Sequence, residues 1–277
     1  MTGPSSTDDS PRTTDLEPTA ETDAVHRARL YTLLSLSFDS PGEPLERALA
    51  DGAIPDGLVA SARALEDDGV ATAAEDLQTL EGSLDVDRFR SAYGSLFGVE
   101  SGTTVSPYEV GYRAGGLVTN TDELADVAGF YGAFGLEVGE RRDRVDYLPT
   151  ELEFAGELAA REAYLAESGD DEGVAVVVDA QRAFLEDHLG RWIPRLRAAI
   201  EDAADDDLYP ALAGLLKALV DAEADRLGAE PNVLEAEPDG PLESVFEDGD
   251  GDWRCGTCVG NPSAGGGGMP MGGPGRQ

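Results

Sequence analysis

Lysine is almost missing from this chain: Lys217 is the only one, and the remaining basic residues are arginines. The 20 Lys and Arg stand against 56 Asp and Glu, leaving a formal charge of −36, which excludes a nucleic-acid binder because phosphate backbones demand a basic face. Histidine and cysteine are equally scarce at two each, and His26 and His188 lie in expected helices far in sequence from Cys255 and Cys258, so a four-ligand zinc site within the chain has little support. Long apolar runs are absent. The longest local stretch is VAVVV at 174–178, far short of the roughly 20 residues a membrane helix needs. The opening segment MTGPSSTDDSPRTTDLEPTAE has no apolar centre and carries acids where a secretory signal carries bases, so the protein is expected in the cytoplasm. Strand-like alternation is missing as well, and no Gly-rich phosphate loop follows a strand, which removes P-loop and dinucleotide-binding readings.

What is present is a 41% hydrophobic content in 277 residues, enough for one substantial core. An acidic, lysine-poor surface over a core of Ala, Val and Leu with few aromatics reads as adaptation to a salt-rich cytoplasm, as in a halophilic archaeon. At molar ionic strength the Debye length is about 3 Å, so only charge pairs at contact range carry specificity.

Residues 1–22 are rich in Ser, Thr, Pro, Asp and Glu without periodic apolar positions and are expected to be a disordered acidic tail. A helical domain is expected over 23–227. Its first helix places Val25, Leu30, Leu33, Leu34 and Phe38 on one face and ends at SPGEP. Shorter helices are predicted near 44–51, 56–67, 70–81 and 86–97, and Gly98 to Val118 reads as a long connecting loop. Thr121 caps a helix that carries Leu124, Val127, Tyr131 and Phe134 and stops at Gly135. An amphipathic run from Val174 through Gln181, Phe184 and His188 to Trp192 meets Pro194, which should kink or break it. Asp205–Asp207 start a last helix with Leu208, Leu212, Leu215, Leu216 and Leu219 on its face. The fold class is all-α, a helical bundle of roughly nine helices. Residues 228–277, ending in WRCGTC and a Gly-rich stretch, are expected to be a flexible tail.

The segment RVDYLPTELEFAGEL (144–158) combines a helix start, an acidic first turn and an apolar stripe of Leu148, Leu152, Ala155 and Leu158. Asp146 is placed to cap a helix beginning at Tyr147, with Pro149 in the first turn, and Asp146 and Tyr147 are left at its mouth. Asp146, Leu148, Glu151, Leu152, Glu153 and Phe154 match the hallmark of the TorD/DmsD family of redox-enzyme maturation chaperones, which this segment resembles. Arg144 stands where that family usually has Pro, and Tyr147 where it has His. Further matches follow in order: residues 28–41, FRSAYGSLFGV (89–99), SPYEVGY (106–112) and FLEDHLGRWIPRL (184–196).

The resemblance implies a cytoplasmic, cofactor-free protein that is not an enzyme. It implies binding to the twin-arginine signal peptide and the apo catalytic subunit of a molybdopterin oxidoreductase of the DMSO, TMAO or nitrate reductase type, by a monomer or dimer. By the same resemblance, Ser106, Pro107, Tyr108 and Glu109 of the long loop and Asp146, Tyr147 and Glu151 of the helix start would line the peptide groove. The alternative is that the tyrosines cap the core and the acids are solvated. A runner-up function is a metal-dependent adaptor in which Cys255 and Cys258, a C-x-x-C, complete a metal site with a partner. A third, a hydrolase or nucleotide-binding enzyme using the acidic residues, has no motif behind it. Lone His188 on an apolar stripe reads as a core residue rather than a base.

Overall fold

Aspartates set ahead of apolar runs start several helices of this chain. Asp67 accepts from the Val70 N–H at 2.8 Å, Asp85 from Arg88 at 3.0 Å and Asp170 from Gly173 at 3.0 Å, each satisfying a donor that the first helical turn leaves free. The computed structural model describes residues 20–80, 83–98, 105–113, 121–139 and 144–234. Among these the order is α1 (Ala20–Phe38), α2 (Glu43–Ala50), α3 (Leu58–Ala64), α4 (Asp68–Thr79), α5 (Val86–Phe97), α6 (Thr121–Ala133), α7 (Leu148–Glu167), α8 (Asp171–Phe184), α9 (Gly190–Ala203) and α10 (Leu208–Leu227). A π turn, Leu185–Leu189, joins α8 to α9 without a break, so the described residues form nine rods, as the periodicity predicts. No β-strand occurs among them, and no described helix is long and apolar enough to cross a membrane. Of the tails expected at 1–22 and 228–277, residues 1–19 and 235–277, with Cys255 and Cys258, lie outside the described residues, while 20–22 already belong to α1.

The centre of the bundle is the antiparallel pair α1 and α7. Gly156 permits their approach, because a side chain there would already touch the Tyr31 Cβ at 3.3 Å and the Ala28 carbonyl at 3.4 Å. The Ser35 hydroxyl donates to the Pro149 carbonyl at 2.9 Å and ties the end of α1 to the start of α7. Around this pair the core divides into two aromatic groups. Tyr209 of α10 meets Phe38, Phe89, Tyr93 and Phe97, while Phe154 of α7 meets Phe130, Tyr131, Phe134 and Phe184. Burial of each such ring contributes about 1.5–3 kcal/mol, so these groups anchor the elements that carry the site.

Behind α7 lies a buried ionic network. Arg27 meets Glu162 at 2.7 Å and Glu223 at 3.3 Å, contacts that are ionic in distance but off-line for hydrogen bonding. Arg226 bonds Glu223 at 2.9 Å and the Gln181 side chain at 2.9 Å, and Gln181 donates to Glu162 at 2.8 Å. Two positive and two negative charges thus cancel across α1, α7, α8 and α10, the condition under which buried charge is tolerable.

Three expectations need correction. Val25 does not face inward: it is 51% exposed, and Ala24 and Arg27 occupy the buried positions of that turn. Pro194 does not break its helix, since α9 runs through it to Ala203, and a π turn precedes it at Leu185–Leu189. The chain also stays attached past Gly228, where α10 ends in the left-handed conformation (φ +63°). Pro231 sits against Gly190, the Leu234 N–H donates to the Arg191 carbonyl at 2.9 Å, and Glu230 N–H donates to Glu186 at 3.2 Å.

Candidate functional site

The long loop and the start of α7 meet through backbone. Tyr108 and Tyr147 form an isolated antiparallel bridge, in which Glu109 N–H donates to the Asp146 carbonyl at 3.0 Å and Leu148 N–H to the Pro107 carbonyl at 2.9 Å. This pairing brings Ser106, Pro107, Tyr108 and Glu109 beside Asp146, Tyr147 and Glu151, so all seven residues singled out in the sequence share one place. Within the loop the periodicity showed no helix, yet Glu109–Tyr112 makes a 3₁₀ turn. That turn is possible because Gly111 passes over Ser106: a Cβ at Gly111 would lie 2.3 Å from the Ser106 Oγ.

Asp146 does not cap α7, contrary to the sequence reading. Tyr147 holds the N-cap position without a side-chain bond, and the Asp146 carboxylate turns away to accept from the Val110 N–H at 3.2 Å and the Arg144 Nε at 2.8 Å. It therefore fastens the loop instead of the helix. Nor does it stand at the mouth, because Asp146 is fully buried. The Arg144 guanidinium, held by this carboxylate, lies 4.2 Å from the centre of the Tyr108 ring, a cation–π contact. The Tyr147 hydroxyl reaches Tyr93 and Asp39, each at 3.2 Å, linking the site to α5 and the end of α1.

Beneath this layer the carboxylates are committed to internal partners. Glu109 pairs with Arg113 and lies 3.0 Å from Nδ1 of His188. Arg113 in turn meets Glu123 of α6 at 3.0 Å. His188 is buried in the π turn, flanked by the rings of Phe130 and Phe184, with its Nε2 toward Asp126 at 3.6 Å. Burial acts to raise the Glu109 carboxyl, but the bonds and charges of His188 and Arg113 outweigh it and hold the group below the usual carboxylate range. Glu151 has no such cation in contact. One of its oxygens accepts from the Trp192 indole N–H at 3.0 Å and the other has no partner. Burial, reinforced by the charges of Glu109 and Asp146, pushes its carboxyl well above that range. Tyr112 stacks on Trp192 and its hydroxyl donates to the Ser106 carbonyl at 2.8 Å, closing the circuit.

Glu109, Asp146 and Glu151 are accordingly interior, while Ser106, Pro107, Tyr108 and Tyr147 are half-buried and form the outer layer. Sequence reasoning missed Arg113, Arg144, His188 and Trp192 as parts of this assembly. The available signal was a basic residue close in sequence to two of the acids, Arg144 two before Asp146 and Arg113 four after Glu109, in a chain where cations are few. It also missed a groove that opens alongside, between the turn after α6 and the first turns of α7, with a volume of about 240 Å³. Among the described residues no group of three or more His, Cys, Asp or Glu is arranged to hold a metal ion.

A family model described as nitrate reductase delta subunit matches residues 64–198, a span that includes the loop, the start of α7 and the π turn. The chain is 34% identical over 112 residues to a selenate reductase assembly chaperone protein of Thauera selenatis, covering 40% of this chain and 56% of the relative. It is 32% identical over 112 residues to a perchlorate reductase assembly chaperone protein of Dechloromonas aromatica, covering 39% and 48%. The chain thus spans about half the length of these two relatives. The likeness to the chlorate reductase assembly chaperone protein of Ideonella dechloratans runs further, 30% identity over 171 residues, 61% of this chain and 81% of the relative. Matched across four-fifths of that relative, and by the family model over residues 64–198, the chain belongs to the redox-enzyme maturation chaperone family.

Proposed function

We propose that this protein binds the twin-arginine signal peptide and the apo catalytic subunit of a molybdopterin oxidoreductase in the cytoplasm, and holds both until the cofactor is inserted and the enzyme is exported. The observation that carries the reading is the likeness to the chlorate reductase assembly chaperone over most of that protein's length, which favours a reductase as client. The arrangement of side chains agrees with a binding role. Each buried carboxylate of the junction is matched to an internal donor, so the assembly serves to fix a surface rather than to turn over a substrate. A signal peptide offers arginines beside apolar residues, and a receptor for it needs carboxylates at contact range next to an apolar surface. Tyr108, with its face against Arg144, and the half-buried Tyr147 supply part of that surface.

Calorimetric titration of the full chain with the leader peptide of a candidate reductase tests this. Saturable binding that disappears when both peptide arginines are replaced by glutamine supports the reading. Equal heats from both peptides, or none from either, argue against it.

A further inference from the structure

His188 faces a carboxylate from each nitrogen of its ring. Nδ1 lies 3.0 Å from Glu109 of the 3₁₀ turn, and Nε2 lies 3.6 Å from Asp126 of α6, without a hydrogen-bond partner. The ring is fully buried, whereas Asp126 is exposed. A neutral imidazole has one N–H to give, so it satisfies only one of these acceptors and turns a lone pair toward the other. With a second proton it serves both.

The charges around the ring come from several elements. The loop brings Glu109 and Arg113, and α6 brings Asp126 and Glu123. From α7 the buried Glu151 acts on Glu109 through its charge. The π turn adds Glu186 and Asp187, and the Asp187 carbonyl accepts from Arg113 at 3.3 Å and from Arg191 of α9 at 3.4 Å. Through these contacts Glu109, Glu123 and Asp126 meet Arg113 and His188, and Arg113 alone cannot balance three carboxylates.

The helix at the far side of this contact is lightly seated. Of the 13 residues of α6 only Val127 and Tyr131 are fully buried. Phe130 rests on Phe154 and Phe184, the Tyr131 hydroxyl donates to the Val145 carbonyl at 2.8 Å, and Glu123 meets Arg113 at 3.0 Å. One further polar tether is therefore a large share of what fixes α6 in place.

We infer that His188 is a proton-operated clasp between α6 and the loop. Doubly protonated, it donates from Nδ1 to Glu109 and from Nε2 to Asp126, and α6 is tied down. Neutral, it keeps the Nδ1–H bond to Glu109 and lets go of Asp126, so α6 loosens while the loop stays fastened. Histidine is the side chain whose charge ordinarily changes between about pH 5 and 8, and here that change falls at the contact between two elements. The clasp is built from contacts of this chain alone, whatever its client.

Hydrogen exchange read by mass spectrometry on the full chain in molar KCl tests this, because protection corrected for the intrinsic rate reports local opening. Between about pH 5.5 and about pH 8 the protection of 121–133 in wild type should fall about tenfold. Asp126→Ala, changed at an exposed position, should lose that fall and keep only the change shared with the rest of the bundle, including any from Glu151. With two histidines in the chain, nitrogen-15 spectra of the imidazoles read the ring directly, and His26→Gln assigns the signals. His188 should carry hydrogen on both nitrogens at the lower pH and on Nδ1 alone at the higher. A ring in the same state at both pH values, equal protection of α6 at both, or an Asp126→Ala chain that retains the full fall overturns the clasp.

Discussion

Glu151→Gln is the substitution whose effect the site geometry specifies most closely. Glu151 is fully buried, one oxygen accepts from Trp192 at 3.0 Å, the other is unpartnered, and the neighbouring charges are Glu109, Asp146 and the more distant Arg113. Its carboxyl is raised well above the usual range, with burial as the first cause and Glu109 as the second. A group whose folded pKa lies above its unfolded value keeps a proton that the unfolded chain has released. Stability therefore falls as pH rises from the ordinary carboxyl range toward the folded pKa, by up to about 1.4 kcal/mol per pH unit for one proton. Glutamine mimics the protonated acid, retains an oxygen for Trp192 and cannot ionise.

The variant should thus be close to wild type near the ordinary carboxyl pKa and become progressively more stable than it toward neutrality. Urea unfolding followed by circular dichroism in molar KCl, at matched pH values, reads the difference directly, and other titrating groups cancel in the comparison. If the carboxyl were instead ionised in the fold, Gln would lose a charge-assisted bond of about 1.5–3 kcal/mol to Trp192. A destabilisation of that size, constant across the range, would refute the reasoning.

Gly111→Ala should push the 3₁₀ turn off Ser106, lowering stability by about 1–3 kcal/mol and weakening client capture while the helical spectrum is kept; unchanged stability and capture would contradict the close approach. Arg27→Met leaves Glu162 and Glu223 buried with only Arg226 between them and should cost about 3–5 kcal/mol in urea unfolding. A loss below about 1 kcal/mol would mean that the network is not desolvated. With a formal charge of −36, the melting temperature should fall as salt is lowered from about 1 M to about 0.01 M, since the Debye length grows from about 3 Å to about 30 Å and self-repulsion is exposed. A flat profile would remove the salt-adapted reading.

Helix positions were readable from the sequence where one face repeats and an aspartate or glycine marks the end. The span predicted at 86–97 coincides with α5, and Gly135 follows α6 in the left-handed conformation. The meeting of SPYEVGY with RVDYL was readable only through resemblance, because a two-residue bridge across nearly 40 positions leaves no periodic trace. Asp146 shows the limit of local reasoning. Its position suits a helix cap, but a nearer claim by Val110 and Arg144, both set by the tertiary pairing, takes the carboxylate elsewhere. Val25 fits the apolar spacing of α1, yet α7 and α10 offer carboxylates on the neighbouring face, so Arg27 is drawn inward and Val25 is left out. The groove at Leu136 to Glu157 was invisible for a different reason: it joins a turn to a helix, and concavity between elements is not written in either.

The most direct test of the chaperone role is affinity capture from a salt-rich lysate with the tagged full chain and identification of what is retained by mass spectrometry. The account predicts a molybdopterin oxidoreductase catalytic subunit still bearing its twin-arginine signal, and depleted when the lysate is supplemented with the free leader peptide. Recovery of the mature, signal-free enzyme alone, or of no reductase at all, would contradict it.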